Sequence, residues 1–394
     1  MKKTVFTRTV WLVSLVSLFN DIASEMLYPV MPVFLKSIGF TIVLIGILEG
    51  LAEATAGLSK GYFGNMSDRM GKRAPFIRLG YILSAVSKPF MVIWFQPAWI
   101  FLVRTADRLG KGIRSSARDA LLSDETIPEH KGKVFGLHRA FDTAGAALGP
   151  VLALLYLNYY PEDYTTLFLI AFLPGVISVS ITFLIREKKR QQGSQKNGST
   201  GFFDYLKYWK TASKEYKYLV TGLLFFTLMN SSDAFLLLRL KEAGYTDTEM
   251  IGFYILYNLV FAVLAYPVGY LADKTGLRTT LISGLILFAT VYGFFGFSSG
   301  TNAFVFLFGL YGIYAAATEG ISKALITNIS KKENTATAIG FYSSMASICT
   351  MLASSMAGVI WYTFGFQVMF MVSATGTVIT VIYLLWTRKF RTML

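Results

Sequence analysis

The sequence predicts an all-α membrane protein of twelve transmembrane helices in two pseudo-symmetric six-helix bundles. Composition is the first sign: 54% of the 394 residues are hydrophobic and only 15% charged, with a mean hydropathy of +0.51, whereas soluble domains carry about 25% charge. The second is a series of twelve apolar stretches, each near the ~20 residues needed to cross hydrocarbon. The third is an internal repeat. Gly64 to Arg73, GNMSDRMGKR, returns as Gly269 to Arg278, GYLADKTGLR, at an offset of 269 − 64 = 205, and that offset also carries Lys36 onto Lys241 and Gly39 onto Gly244. A fixed internal period of this kind determines architecture before any single element is assigned.

The expected spans cover residues 9 to 35, 41 to 66, 74 to 95, 97 to 123, 131 to 158 and 164 to 186 in the first half. In the second they cover 215 to 239, 246 to 272, 278 to 299, 301 to 328, 335 to 363 and 366 to 387. Span one begins like a signal peptide, but Asn20, Asp21 and Glu25 interrupt the apolar core and the stretch continues to Phe34, so it reads as an uncleaved span. Span two carries Glu49 and Glu53 and ends in the glycine-rich charged turn. Span four holds the strongest charge pattern, and span five has a run of small residues ending in Pro150. Between spans six and seven, Glu187 to Thr200 (EKKRQQGSQKNGST) has nothing to bury and reads as a solvated, mobile connector. The expected domains are therefore 1–187, a linker over 188–210, and 211–394.

A net charge of +14 raises the question of nucleic acid, which the distribution of the charge answers. Lys2, Lys3 and Arg8 precede span one. Arg69, Lys72 and Arg73 follow span two, Lys131 and Lys133 span four, Arg186 to Arg190, Lys207 and Lys210 span six. Lys274 and Arg278 follow span eight, Lys331 and Lys332 span ten, and Arg388, Lys389 and Arg391 span twelve. The alternate loops (Gln96-Pro97, Tyr159 to Tyr164, Ser298 to Asn302) contain no Lys or Arg. By the positive-inside rule both termini are cytoplasmic and the span count is even. Cys349 is the sole cysteine, so no intrachain disulfide forms. Two histidines and one cysteine provide no soft metal-ligand set, and no Ser-His-Asp arrangement or phosphate-binding loop argues for an enzyme.

Three motifs resemble the major facilitator superfamily along essentially the whole chain. The loop after span two matches G-x-x-x-D-R-x-G-K-R at Gly64, Asp68, Arg69, Gly71, Lys72 and Arg73. In span four, Arg108, Lys111 and Gly112 are similar to R-x-x-Q-G, with Lys111 at the glutamine position. In span five, Gly136, Gly145, Gly149 and Pro150 match the family's antiporter pattern, which departs at Ala153 and Leu154, where a glycine pair would follow. The resemblance implies a transporter in which Asp68 closes the cytoplasmic side against helices of the opposite bundle. Arg69, Lys72, Arg73 and Arg118 lie nearby, and the partner acid at the inner end of span four is Asp119 or Asp124. The span-five glycines also admit a plainer role, close helix packing.

Arg104, Asp107, Arg108, Lys111, Arg114 and Arg118 recur at helical spacing, forming one stripe on span four. Each charge at mid-membrane costs at least about 2.5 kcal/mol, so the stripe borders water or meets carboxylates rather than lipid. Candidate partners are Asp21, Glu25, Glu49 and Glu53, Asp142 beside Arg139, Asp233, and Glu319 with Lys323. Either these are packing ion pairs or they line an aqueous cavity. The cavity is preferred, because buried pairs contribute little net stability over apolar replacements. Desolvation raises a carboxylate pKa and a nearby arginine lowers it, so movement between the two settings loads and releases a proton. Asp21, Glu25 and Asp142 are the candidate proton carriers, tuned by Arg108. His138 reads as structural, and Tyr28, Tyr254, Tyr257 and Tyr314 are further cavity candidates.

The functional expectation is a non-enzymatic secondary transporter of a small solute, exporting it by proton-coupled antiport. Proton symport or uniport of a small organic anion is the alternative. A membrane receptor or membrane-embedded enzyme is the reading from outside the class. Partners are the substrate, protons and the lipid bilayer, without nucleic acid. The protein is expected to act as a monomer without a cofactor, energised by the proton gradient, as a multi-pass protein of a bacterial cytoplasmic (inner) membrane.

Overall fold

The computed structural model describes residues 5–40, 42–187 and 201–386. The basic run 188–200 and the terminal Lys2, Lys3, Arg388, Lys389 and Arg391 lie outside the described residues. The first half contains α1 (Arg8–Glu25), α2 (Met31–Ser37), α3 (Ile42–Met70), α4 (Ala74–Met91), α5 (Pro97–Asp124), α6 (Lys131–Tyr159) and α7 (Tyr164–Thr182). After the short α8 (Tyr208–Thr211) come α9 (Lys214–Met229), α10 (Ala234–Glu242), α11 (Asp247–Thr275) and α12 (Leu277–Phe295). The last three are α13 (Thr301–Ile329), α14 (Thr335–Phe364) and α15 (Phe366–Trp386).

Helix starts follow local chemistry. The Asp163 carboxylate accepts the Thr166 amide at 3.1 Å to cap α7, the Ser213 hydroxyl accepts the Tyr216 amide at 3.1 Å to cap α9, and Thr246 with Glu249 forms a reciprocal box at α11. Eight helices among the described residues are long and apolar enough to cross a membrane. α5 misses that standard because eight ionisable side chains stand along it.

Spans one and seven, each expected as one continuous helix, are both broken. α1 gives way to α2 over residues 26–30, around Pro29, and α9 to α10 over 230–233, the sequence Asn-Ser-Ser-Asp. Proline lacks an amide to donate, and short polar side chains compete for backbone hydrogen bonds, so neither segment sustains a helix within an otherwise apolar run. Shifted by 205, the first break overlaps the second. The turns that follow α2 and α10 match too: Gly39 and Gly244 have φ of +94° and +90°, a region open to glycine and strained for other residues. Pro150 does not interrupt α6, which runs through it.

Two compact units emerge. One comprises Met1–Thr126, Phe141–Lys210 and Lys331–Ser344; the other comprises Ile127–Ala140, Thr211–Ser330 and Met345–Leu394. In the first, α5 packs against α3 and α4, and α7 against α1 and α4. In the second, α13 packs against α11 and α12, and α15 against α9 and α12. Each pairing of the second unit is the pairing of the first moved six spans along, so the sequence duplication is expressed in the packing.

Candidate functional site

The charge stripe of α5 faces a cavity inside the first unit with about 600 Å³ of empty space, counting the part open to solvent. α5 supplies Arg104, Asp107, Arg108, Lys111 and Arg114; α1 supplies Asp21, Ser24 and Glu25; the helix break supplies Tyr28. α4 completes it with Ser84, Ser87 and Lys88. The break matters because it places polar backbone and side chains at membrane depth where they border a cavity instead of lipid.

The cations are held unequally. Arg104 grips Glu49 of α3 through two bonds of 2.9 Å and lies 3.4 Å from Asp107, so it is largely committed. Arg114 donates to the Ser84 hydroxyl at 2.7 Å and stacks 4.5 Å over the Tyr81 ring. Among the described residues, Arg108 Nε is buried without a hydrogen-bond partner. Lys88, buried at 4% exposure, donates to the Ser84 carbonyl at 2.9 Å and lies 3.5 Å from the Ser24 hydroxyl. Sequence reasoning passed over Lys88. Its signal was a lone cation between Ser87 and Pro89, averaged away by the hydropathy of span three.

Asp21, part of the cavity lining, accepts from the Asn20 side-chain amide at 2.9 Å, and Asp142 stands on α6. Asp142 lies 3.6 Å from Arg118, which bonds Asp119 at 3.1 Å and Ser17 at 3.0 Å. Arg139, close to Asp142 in sequence on α6, pairs with Glu319 of α13 at 3.0 Å. Glu53 is exposed on α3, and Lys323 sits on α13, one turn beyond Glu319. Asp233 stands at the break of span seven, where Tyr311 donates to it at 2.7 Å, outside the cavity of the first unit. Gly145 and Gly149 lie where a side chain would meet the Leu18 and Ile22 carbonyls of α1, so they bring α6 against the helix that bears the acids.

The charged turn builds a second feature. Asp68 bonds Arg73 at 2.5 Å and accepts the amides of Ala336 and Thr337 at 3.3 and 2.6 Å, and the Thr337 hydroxyl at 2.7 Å. Those amides are the unpaired donors at the start of α14. Of the two candidate partner acids, Asp124 lies 3.6 Å from Arg73, while Asp119 is bound to Arg118 instead. Gly64 lets α3 approach so closely that a side chain would strike the Ala336 carbonyl. Arg69 and Lys72 flank the turn and Gly71 permits it, with φ of +61°. In the second unit Asp273 accepts the Gly132 and Lys133 amides at 2.8 and 3.0 Å, and a side chain at Gly269 would strike the Gly132 carbonyl, or at Gly136 the Ala265 carbonyl.

Comparison with known proteins agrees with this architecture. The model of the Major Facilitator Superfamily matches residues 13–257 and 240–393. An uncharacterised MFS-type transporter of Methanocaldococcus jannaschii is 33% identical over 363 residues, covering 90% of this chain and 89% of that protein. The human organic anion transporter TETRAN superposes with a TM-score of 0.81 at 16% identity, over 96% of this chain and 99% of that one. The Escherichia coli fucose:proton symporter FucP superposes with a TM-score of 0.78 at 12% identity, over 99% and 100%. These two likenesses speak to the fold: membrane-crossing helices in two related sets of six. By its sequence along nearly its full length and by its fold, the chain belongs to the Major Facilitator Superfamily, a family of membrane transporters and not of enzymes.

Proposed function

We propose that this transporter moves a small organic anion together with protons, using the cavity of the first unit as the anion site. The observation that carries this is the charge of the lining: Lys88, Arg104, Arg108, Lys111 and Arg114 oppose Asp21, Glu25 and Asp107, an excess of 5 − 3 = 2 cations. With Arg104 committed to Glu49, Arg108 and Lys111 are the groups left to receive a carboxylate or phosphate on the substrate. Protonation of Asp21, Glu25 or Asp142 makes the cavity more positive and anion binding makes it less so. The two events therefore reinforce each other, and reinforcing occupancy favours co-movement. An exchanger of protons for a cationic solute would need the opposite, a site where proton and substrate compete.

Export in exchange for protons is the second reading, supported by Gly145 and Gly149, which seat α6 against the acid-bearing α1. In either case the energy source is the proton gradient, and both termini lie on the cytoplasmic side, as the distribution of basic loops favours; the protein acts as a monomer in the cytoplasmic membrane. The test uses purified protein in sealed vesicles with an imposed pH gradient and a panel of mono-, di- and tricarboxylates. Accumulation of a carboxylate on the side toward which protons flow supports co-movement, and accumulation on the opposite side supports exchange. Transport indifferent to the gradient would remove proton coupling altogether.

A further inference from the structure

Residues 201–211 (GFFDYLKYWKT) belong neither to the cavity nor to any membrane span, yet they pack against α3 and α14. A 3-10 turn over Asp204–Lys207 leads into α8. The inner face is tightly held: Tyr205 is 1% exposed with its ring pressed on Gly61 of α3, where a side chain would collide with it. Trp209 stacks on Phe341 of α14 at 5.5 Å, and Phe202 stacks on Tyr62 at 5.2 Å. Asp204 accepts the Gly201 amide at 2.9 Å, which closes the turn.

The exposed residues of the segment have the unusual composition: Phe203 and Leu206 are 58% and 38% exposed, Lys207, whose side chain is 79% exposed, bonds Asp204 at 2.7 Å, and Lys210 is exposed. A surface meeting water would not display Phe203 and Leu206 together, and one facing acyl chains would not carry lysines among them. Apolar side chains mixed with lysines immediately before a membrane span (α9 begins at Lys214) suit the headgroup boundary. From 201 to 217 the chain holds Lys207, Lys210, Lys214 and Lys217 against Asp204 and Glu215, an excess of 4 − 2 = 2 positive charges. The complementary surface is an anionic leaflet.

We propose that the exposed residues of 201–211 form a docking surface for anionic phospholipid headgroups, with Phe203 and Leu206 in the boundary layer and Lys207 and Lys210 on the headgroup charges. Because the inner face of the same segment grips α3 through Gly61 and α14 through Phe341, lipid bound outside stabilises that α3–α14 crossing inside. The related crossing of α11 with α6 carries no such segment among the described residues, so lipid charge acts on one of the two duplicated contacts and not on the other.

Hydrogen exchange of the full-length protein, read over peptides spanning 201–211, distinguishes the possibilities in two kinds of bilayer disc: pure phosphatidylcholine, and phosphatidylcholine with phosphatidylglycerol. The expected result is exchange about tenfold slower with the anionic lipid, and loss of that difference in the double variant Lys207→Gln/Lys210→Gln, with exchange of α12 unchanged as the control for folding. Equal exchange in both bilayers overturns the proposal. Slowing that persists in the double variant also overturns it, by placing the lipid elsewhere. So does slowing that appears only on addition of a cell lysate, which would assign the face to a protein partner.

Discussion

Asp68 holds Thr337, 269 positions away in the sequence, by accepting both its amide and its hydroxyl, at 2.6 and 2.7 Å. The side chain supplies an anion where α14 begins, at the positive end of the helix dipole and among its unpaired amides. Asp273, at the duplicated position, does the same for the amides of Gly132 and Lys133 at the start of α6. The repeat thus preserved a contact as well as a motif: an acid at the end of the second span of one sequence half receives the start of the fifth span of the other half.

The two contacts differ in what stands behind the acid. Asp68 also neutralises Arg73, which is fully buried, whereas Asp273 has backbone partners. Asp68→Asn therefore leaves the buried guanidinium with Asp124, 3.6 Å away, as its remaining carboxylate and should cost about 3 kcal/mol. Asp273→Asn should cost about 1 kcal/mol, the size of a lost helix cap. Denaturation of the two variants in the same detergent checks the order, and equal losses would contradict it.

Glycine substitutions separate close approach from mere presence in a helix. Gly64→Ala and Gly269→Ala place a methyl against a backbone carbonyl that has no room to move, while Gly50 and Gly252 have open space around a new Cβ. The first pair should lose about 1–3 kcal/mol of stability by overpacking. Alanine at Gly50 or Gly252 should be neutral or gain up to about 1 kcal/mol. Thermal stability of the four purified variants is the measurement.

The Arg104–Glu49 fork joins α5 to α3. Glu49→Gln leaves the buried Arg104 with Asp107, 3.4 Å away, as its remaining partner and should reduce transport and stability together. In a double-mutant cycle with Arg104→Gln, the coupling should be about 1–3 kcal/mol, and the swapped pair Glu49→Arg/Arg104→Glu should recover part of the loss. Additive single effects would mean that the fork contributes nothing.

Lys88 should act on substrate and not on folding. Lys88→Gln keeps a donor toward the Ser84 carbonyl but removes a charge from the cavity, so an anionic substrate should bind about tenfold more weakly at unchanged thermal stability. Concentration dependence of uptake into vesicles reads this directly. An unchanged half-saturation concentration would exclude Lys88 from the anion site.

One pH effect lies outside the membrane spans. The Tyr156 hydroxyl, donating at 2.7 Å, and then the Thr166 amide hold the Asp163 carboxyl below its ordinary value. A folded pKa below the unfolded one means the cap is fully present above the unfolded value, about 3.9, and is lost as pH falls through the folded value. Exchange at residues 164–168, corrected for intrinsic rates, should therefore accelerate below about pH 4. In Asp163→Asn that acid limb should vanish.

Much of this protein was legible in one dimension. Apolar run lengths and the 205-residue offset were enough for an all-helical, duplicated membrane chain, because hydrocarbon admits few spanning structures and a repeat reproduces its own packing. The stripe on α5 was legible for a similar reason: charge at helical spacing cannot face lipid, so it had to border water or meet carboxylates. What the stripe touches was not legible. Arg104 takes Glu49, Asp142 takes Arg118, and Arg139 takes Glu319, because ion pairing depends on which helix faces come within 4 Å, and spacing along one helix carries no information about its neighbours. Lys88 was hidden by averaging. The partners of Asp68 and Asp273 were hidden more deeply, since backbone amides at a helix start belong to no particular residue type. Residue order alone thus determined that the chain is helical and membrane-spanning, that its helices come in two related sets and that charge lies among them. Tertiary structure decided which charges meet, because Coulomb and hydrogen-bond energies are set by separations of a few ångströms between segments that the chain itself places tens of residues or more apart.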